Sequence, residues 1–225
     1  MSEIEEIEQL EAVYEKNIRR IDSLIRIYNL VKSKGKGRKK VTETDTLRAA
    51  VVFIHSNLED VMRGLAVVFW LKNKDVNIIN KVPLLHTGGR ERADKFYLGY
   101  LCQFLGKSVD NVIQSSIEDY IYNQFTINNL GQLIGEIKNL NFSEELIGNI
   151  TEDKKASIED FFKRRHRIVH HADRNLESGQ GQHGARAIKV ETVNKWKQEI
   201  DEIISKLFTE AKKKLVFKQV LVPAI

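Results

Sequence analysis

Several residue types are scarce in this chain, and each scarcity excludes something. Of 225 residues only one is cysteine, Cys102. A lone thiol rules out an internal disulfide and a multi-cysteine zinc site, and suits a reducing compartment. Only two residues are proline, one of them Pro223 close to the C-terminal end. With so few helix breakers and abundant Leu, Ile, Glu and Lys, the composition predicts a mostly helical protein. Long apolar runs are missing too. The longest, AAVVFI and LAVVFWL, are too short to span a bilayer and have Glu59, Asp60 and Arg63 between them. The first sixteen residues, MSEIEEIEQLEAVYEK, are acidic where a secretion signal would be basic and then apolar. The expectation is a soluble, cytoplasmic protein with no membrane partner.

Hydrophobic residues make up 42% of the chain and charged residues 30%, enough to bury a core and stay dissolved. The 36 basic residues outnumber the 31 acidic ones, giving +5 at neutral pH and a pI near 9.1. This mild excess is compatible with a polyanion partner such as RNA, but charge alone does not single one out.

Apolar residues at spacings of three and four (Ile4, Ile7, Leu10, Ile18, Ile21, Tyr28) predict one long helix over 2–33. It runs into KSKGKGRKK, 32–40, six cations and two glycines that read as a flexible loop. Lys36, Arg38, Lys39 and Lys40 there are either a solvated connection or a phosphate clamp. The stretch that follows, TETDTLRAAVVFIHSNLEDVMRGLAVVFWLKNK, is apolar on more than one side and is expected to be the central, most buried helix. His55, Glu59 and Asp60 on it need partners if buried. After a loop over 81–95, helices are expected at 91–105, 108–124 and 127–139, then a polar, turn-rich segment at 140–156. Helical periodicity returns with KASIEDFFKRRHRIVHHADR, Ser157 being its candidate N-cap. A glycine-rich loop, 175–187, precedes a last amphipathic helix over 190–213. The organisation is an N-terminal helix with a basic loop (1–40), a helical bundle (41–214) and an apolar tail (215–225), together one domain.

The unusual segment is 161–175, FFKRRHRIVHHADRN, which gathers four Arg, one Lys, three His and one Asp around a short apolar stretch. Arg165 lies four positions from both Phe161 and Val169, so it shares their side of a helix. There a guanidinium either meets a carboxylate, Glu59 or Asp60 being candidates, or lines a cleft. His170 follows Arg165 by five positions, about 140° round an ideal helix, so the two converge poorly within one chain. They could cooperate at a helix end or across a two-fold axis. His170 and His171 could equally be a solvated helix end. His166 and His170, four apart, also have the spacing of metal ligands, but no third ligand is evident. A DNA-reading helix-turn-helix lacks a convincing recognition helix.

Arg165, four intervening residues and His170 resemble the signature of the HEPN superfamily of helical-bundle ribonucleases and toxins. RRHRIVHHADRN and LRAAVVFIHSNLEDVMRGL together look most like its RiboL-PSP-HEPN branch, across about 40–210. His166 stands where the branch usually has Asn, and Val61 where it has an aromatic residue, while the acid matches Glu59. Arg164 also falls within the tolerated spacing from His170. The resemblance implies an all-α HEPN-type bundle with a long N-terminal helix. It further implies metal-independent RNA cleavage of toxin or phage-defence type, without a cofactor, by a homodimer that an antitoxin or other regulatory partner restrains. A helical module that binds RNA or a partner without catalysis is the alternative. In the enzymatic reading His170 is the general acid/base and Arg165 holds the scissile phosphate. Glu59, Arg164, His166, His171 and Asp173 support them, and Arg167 and Arg174 join the basic loop in binding RNA. The residue types suit that chemistry, since imidazole exchanges protons near neutrality and the guanidinium fork matches phosphate oxygens.

Overall fold

The computed structural model describes residues 2–35, 39–73, 75–85, 98–174 and 185–220. Among them are eight α-helices and no strand. Helix α1 (Glu3–Val31) starts at a reciprocal cap: the Ser2 amide donates to Glu5 Oε2 at 2.7 Å and the Glu5 amide to Ser2 Oγ at 3.3 Å. Glu3, Glu5 and Glu6 in its first turn complement the helix dipole. Its buried stripe, Ile7, Tyr14, Ile21, Ile25 and Tyr28, lies against α2 (Val41–Asn73). Gly64 of α2 permits the close approach, since a Cβ there would stand 2.6 Å from Leu10 Cδ2.

Helix α2 is the axle of the molecule, packed by α1, α4, α5, α7 and α8 and buried along most of its length, as its all-round hydrophobicity predicts. The others follow in order: α3 (Val76–Ile79), a 3-10 turn (Leu98–Phe104), α4 (Val109–Gln124), α5 (Leu130–Asn139), α6 (Glu144–Gly148), α7 (Glu152–His171) and α8 (Val190–Val220). The core runs from Leu47, Leu58, Met62 and Phe69 of α2 to Phe161 and Phe162 of α7 and to Ile204 and Leu207 of α8. Each such side chain contributes about 1.5–3 kcal/mol by leaving water. Helix α8 lies antiparallel to α1, joined by Tyr14 Oη donating to Asp201 Oδ1 at 2.5 Å and by the ion pairs Lys197–Asp22 and Lys212–Glu11.

Each difference from the sequence expectation has a physical cause. Thr151, not Ser157, caps α7, its Oγ1 accepting from the Lys154 amide; Ser157 is buried one and a half turns further in. The polar residues before Ser157 are the solvent side of the first turns. The turn-rich segment 140–156 holds the short α6, fastened by Leu146. Helix α5 begins three residues late because 125–129 is drawn out against α2, as described below. The described end of the expected 91–105 helix is a 3-10 turn, and residues 86–97 lie outside the described part. Helix α8 continues past 213 into the apolar tail because Leu215 still packs on the core.

Candidate active site at the end of α7

Ile158, Phe161 and Phe162 bury the inner face of α7. That packing sets the rotation of the helix and the direction of the cations beyond it. Arg164 is drawn into a structural knot. Its Nη2 donates to Asp173 Oδ2 at 2.7 Å and to the carbonyls of Arg186 and Ala187, each at 3.1 Å. Arg48 of α2 reaches the same Asp173 Oδ2 through Nε at 2.8 Å, and the Arg186 carbonyl through Nη2 at 2.7 Å. Asp173 has no solvent exposure. Burial pushes the Arg164 pKa down, and the Asp173 carboxylate opposes that.

The knot also ends α7. Ala172 and Asp173 adopt left-handed φ values of 47° and 56°, and the Asp173 amide donates back to the Arg167 carbonyl at 3.0 Å. A left-handed alanine is strained. Two guanidinium groups on the next side chain hold the turn, three residues beyond His170.

Arg165 has a different setting. Among the described residues no carboxylate lies within ion-pair distance of it; its Nη1 faces Asn128 Oδ1 at 3.5 Å, the long limit of a hydrogen bond. Of the two partners the sequence offered it, Glu59 is occupied elsewhere. Glu59 Oε1 accepts the Ile127 amide at 2.9 Å, while Oε2 lies 3.7 Å from both His55 Nδ1 and Arg63 Nη2. His55 Nε2 donates to the Ile127 carbonyl at 2.7 Å, and Arg63 Nη2 to that of Phe125 at 2.9 Å. His55, Glu59 and Arg63 are four apart, one face of α2, and together they clamp the 125–129 turn by its backbone. That turn is the wall opposite Arg165.

Three imidazoles occupy the outer face of α7. The His166 ring lies 4.5 Å from His170 and 5.8 Å from His171, centroid to centroid, and all three are exposed. The His166 pKa is lowered, first by desolvation within the cluster, then by His170, His171 and Arg165. His166 is thus the electrostatic neighbour of both Arg165 and His170, which a regular helix keeps about 140° apart. Among the described residues no group of three or more His, Cys, Asp or Glu could hold a metal ion.

The remaining cations spread out. Lys36 and Arg38 lie outside the described residues. Lys39 Nζ donates to the carbonyls of Ser33 and Gly35 and so closes its own loop, whereas the Lys40 side chain is exposed. Arg167 is half-buried; Arg174 is exposed, its backbone bridged to Ala185. Reading the sequence missed Arg48, Arg63 and Asn128. A guanidinium within the apolar run of α2 was the available signal for Arg48, because a buried cation requires a partner. Nothing local marks Asn128.

Two consequences can be measured. The hydrogen bond by which Glu59 holds the turn is the one its Oε1 accepts from the Ile127 amide. Glu59→Gln, which keeps an acceptor, should therefore retain most function, and Glu59→Ala should lose on the order of 10–100-fold. Equal losses in both would assign the role to the charge. His55 is fully buried, and its pKa is lowered by desolvation, with Glu59 opposing and Arg165 and Arg63 adding to the depression. Between the depressed value and the ordinary 6.5 the unfolded chain binds more protons than the folded one. Stability therefore rises with pH across that window and falls on acidification. Urea midpoints at pH 7.5 and 5.5 should show a loss of about 1 kcal/mol that His55→Gln lacks.

Most of the chain has a counterpart in a known family. The RiboL-PSP-HEPN family model matches residues 15–213. The chain is a RiboL-PSP-HEPN protein. No curated protein and no solved structure gives a significant match. HEPN domains are all-α modules, often ribonucleases, that often bind RNA and form dimers. No helix among the described residues is long and apolar enough to cross a membrane.

Proposed function

We propose that this HEPN protein is a metal-independent endoribonuclease of the toxin or phage-defence type. The observation that carries the reading is the division of labour between adjacent arginines. Asp173 and two carbonyls engage the Nη2 of Arg164, whereas among the described residues Arg165 faces a neutral amide and no carboxylate at ion-pair distance. A permanent cation that has no carboxylate partner among the described residues and has His166 as its electrostatic neighbour is suited to a bridging phosphate of RNA.

In this reading Arg165 binds the scissile phosphate and the charge that builds on its oxygens. An imidazole, His170, takes the proton of the ribose 2′-hydroxyl. The 2′-oxygen then bonds to phosphorus, the bond to the 5′-oxygen breaks, and that oxygen receives a proton. The products are a 2′,3′-cyclic phosphate and a 5′-hydroxyl. One His170 cannot be base and acid on opposite sides of one phosphate at once. A second copy across a two-fold axis supplies the other. Val169, 48% exposed between His166 and His170, gives that face an apolar contact point. An antitoxin or other regulatory partner covering this face would silence both sites together.

The test is the chemistry of the ends. Purified protein incubated with single-stranded RNA in EDTA should leave 2′,3′-cyclic phosphates. Cleavage that needs a divalent ion and leaves 3′-hydroxyls would overturn the mechanism. Salt-sensitive RNA binding with no cleavage by the dimer would make the protein a binding module.

A further inference from the structure

The turn between α4 and α5 receives more polar anchoring than its surface position requires. His55 and Glu59 hold the two backbone groups of Ile127, and Arg63 the carbonyl of Phe125. From α7, Glu159 Oε2 accepts the Leu130 amide at 3.2 Å. Between these anchors Ile127 is buried, so its neighbour Asn128 projects outward. The Asn128 side chain is itself oriented. Its amide nitrogen donates to Thr126 Oγ1 at 3.2 Å, which turns Oδ1 toward Arg165; its backbone N–H is taken by Gln132 Oε1 at 2.7 Å. The flipped amide would set a donor against the guanidinium.

We infer that Asn128 is a positioning residue for Arg165: a neutral acceptor that aims the guanidinium without neutralising it. The inference rests on the proposed role of Arg165 at phosphate. An Asp or Glu at the same place would aim Arg165 equally well, but it would form an ion pair that an incoming phosphate must break, and it would repel that phosphate. An amide oxygen at 3.5 Å is displaced at little cost. Burial of the Arg165 stem fits this role, since its Nε is buried without a partner among the described residues and only the terminal nitrogens remain to be directed. Glu59, which the sequence offers as a site residue of α2, then acts with His55 at one remove, by placing Ile127 and hence Asn128.

The experiment compares Asn128→Asp and Asn128→Ala in the full-length protein, measuring cleavage and the affinity for a fluorescein-labelled single-stranded RNA across a salt series. The position is exposed, so both variants should melt with the wild type. Asn128→Asp should weaken RNA binding and cleavage by roughly tenfold, with a salt slope shallower by about 0.7, the signature of one lost phosphate contact on a single strand. Asn128→Ala should lose roughly threefold or less with the slope unchanged. In an Arg165→Ala background, Asn128→Asp should shift affinity no more than Asn128→Ala does. An Asn128→Asp variant with wild-type affinity and slope, or one as damaging without Arg165 as with it, overturns the inference. A wild-type-like Arg165→Ala single variant instead overturns the proposed function, so the two failures are separable.

Discussion

Replacing His170 by alanine is expected to abolish RNA cleavage, by about 10²–10⁴-fold, while RNA affinity stays within a few fold. A general acid/base works on the proton in flight and adds little to ground-state binding, so the loss falls on turnover. Arg165→Ala should lose a comparable 10²–10³-fold, but should also weaken binding, because a phosphate contact exists before and during the reaction. Arg165→Lys should recover affinity better than rate, since an ammonium keeps the charge without the planar fork. The double variant should be scarcely worse than the worse single one, as expected for residues serving one event. By contrast Arg164→Ala should damage the fold. If Arg164→Ala and Arg165→Ala had the same effect on a fully folded protein, the division of labour between them would be wrong. Mixing inactive His170→Ala chains with inactive Arg165→Ala chains provides a further check. The mixed dimer holds a single His170 where the mechanism uses one from each copy, so activity should stay lost on mixing, and recovered activity would show that one His170 suffices.

The second large effect concerns stability. Asp173→Ala should destabilise the protein by about 3–5 kcal/mol. The substitution leaves two guanidinium groups, Arg48 and Arg164, facing each other in a site where Asp173 Oδ2 accepts from both. It also releases the left-handed turn over Ala172 and Asp173. Against a typical total of about 5–15 kcal/mol that is a large share, lowering the melting temperature by roughly 6–20 °C in a chain of this size. Urea unfolding followed by circular dichroism measures it, and a loss below about 1 kcal/mol would show the knot to be unimportant. Removing the whole knot, with Arg48→Met, Arg164→Met and Asp173→Leu together, should recover much of the loss, because paired desolvation costs disappear with the charges. Activity should not return with stability, since the same turn orders the last turn of α7, where His170 and His171 stand.

Helices were legible in the sequence wherever a local signal specified them. The heptad-like stripe Ile7, Tyr14, Ile21, Tyr28 marks α1, all-round apolarity marks α2, and Val193, Trp196, Ile200, Ile204 and Leu207 mark α8. Periodicity and capping act within four residues, so they are written in consecutive letters. The stretch 161–175 was conspicuous for the same reason, as a density of cations and imidazoles that a helix must turn somewhere. The turn at 125–129 was not legible. Its conformation is decided by His55, Glu59 and Arg63, 62 to 72 positions away, and nothing local distinguishes it from the first turn of α5.

The sequence by itself determined that α7 exists, that it is amphipathic, and that Arg and His recur along it at superfamily spacing. Which arginine pairs with the buried carboxylate it left open, because Arg164 and Arg165 are the same residue type one position apart. A helix separates neighbours by about 100°, and only the tertiary structure determines what each direction meets. One side meets Asp173, held from behind by Arg48 across 125 positions of chain. The other meets Asn128, an uncharged group 37 positions away. Long-range pairing of charge is a property of packed helices, and it alone gives one of two identical side chains a carboxylate partner and leaves the other, among the described residues, without one.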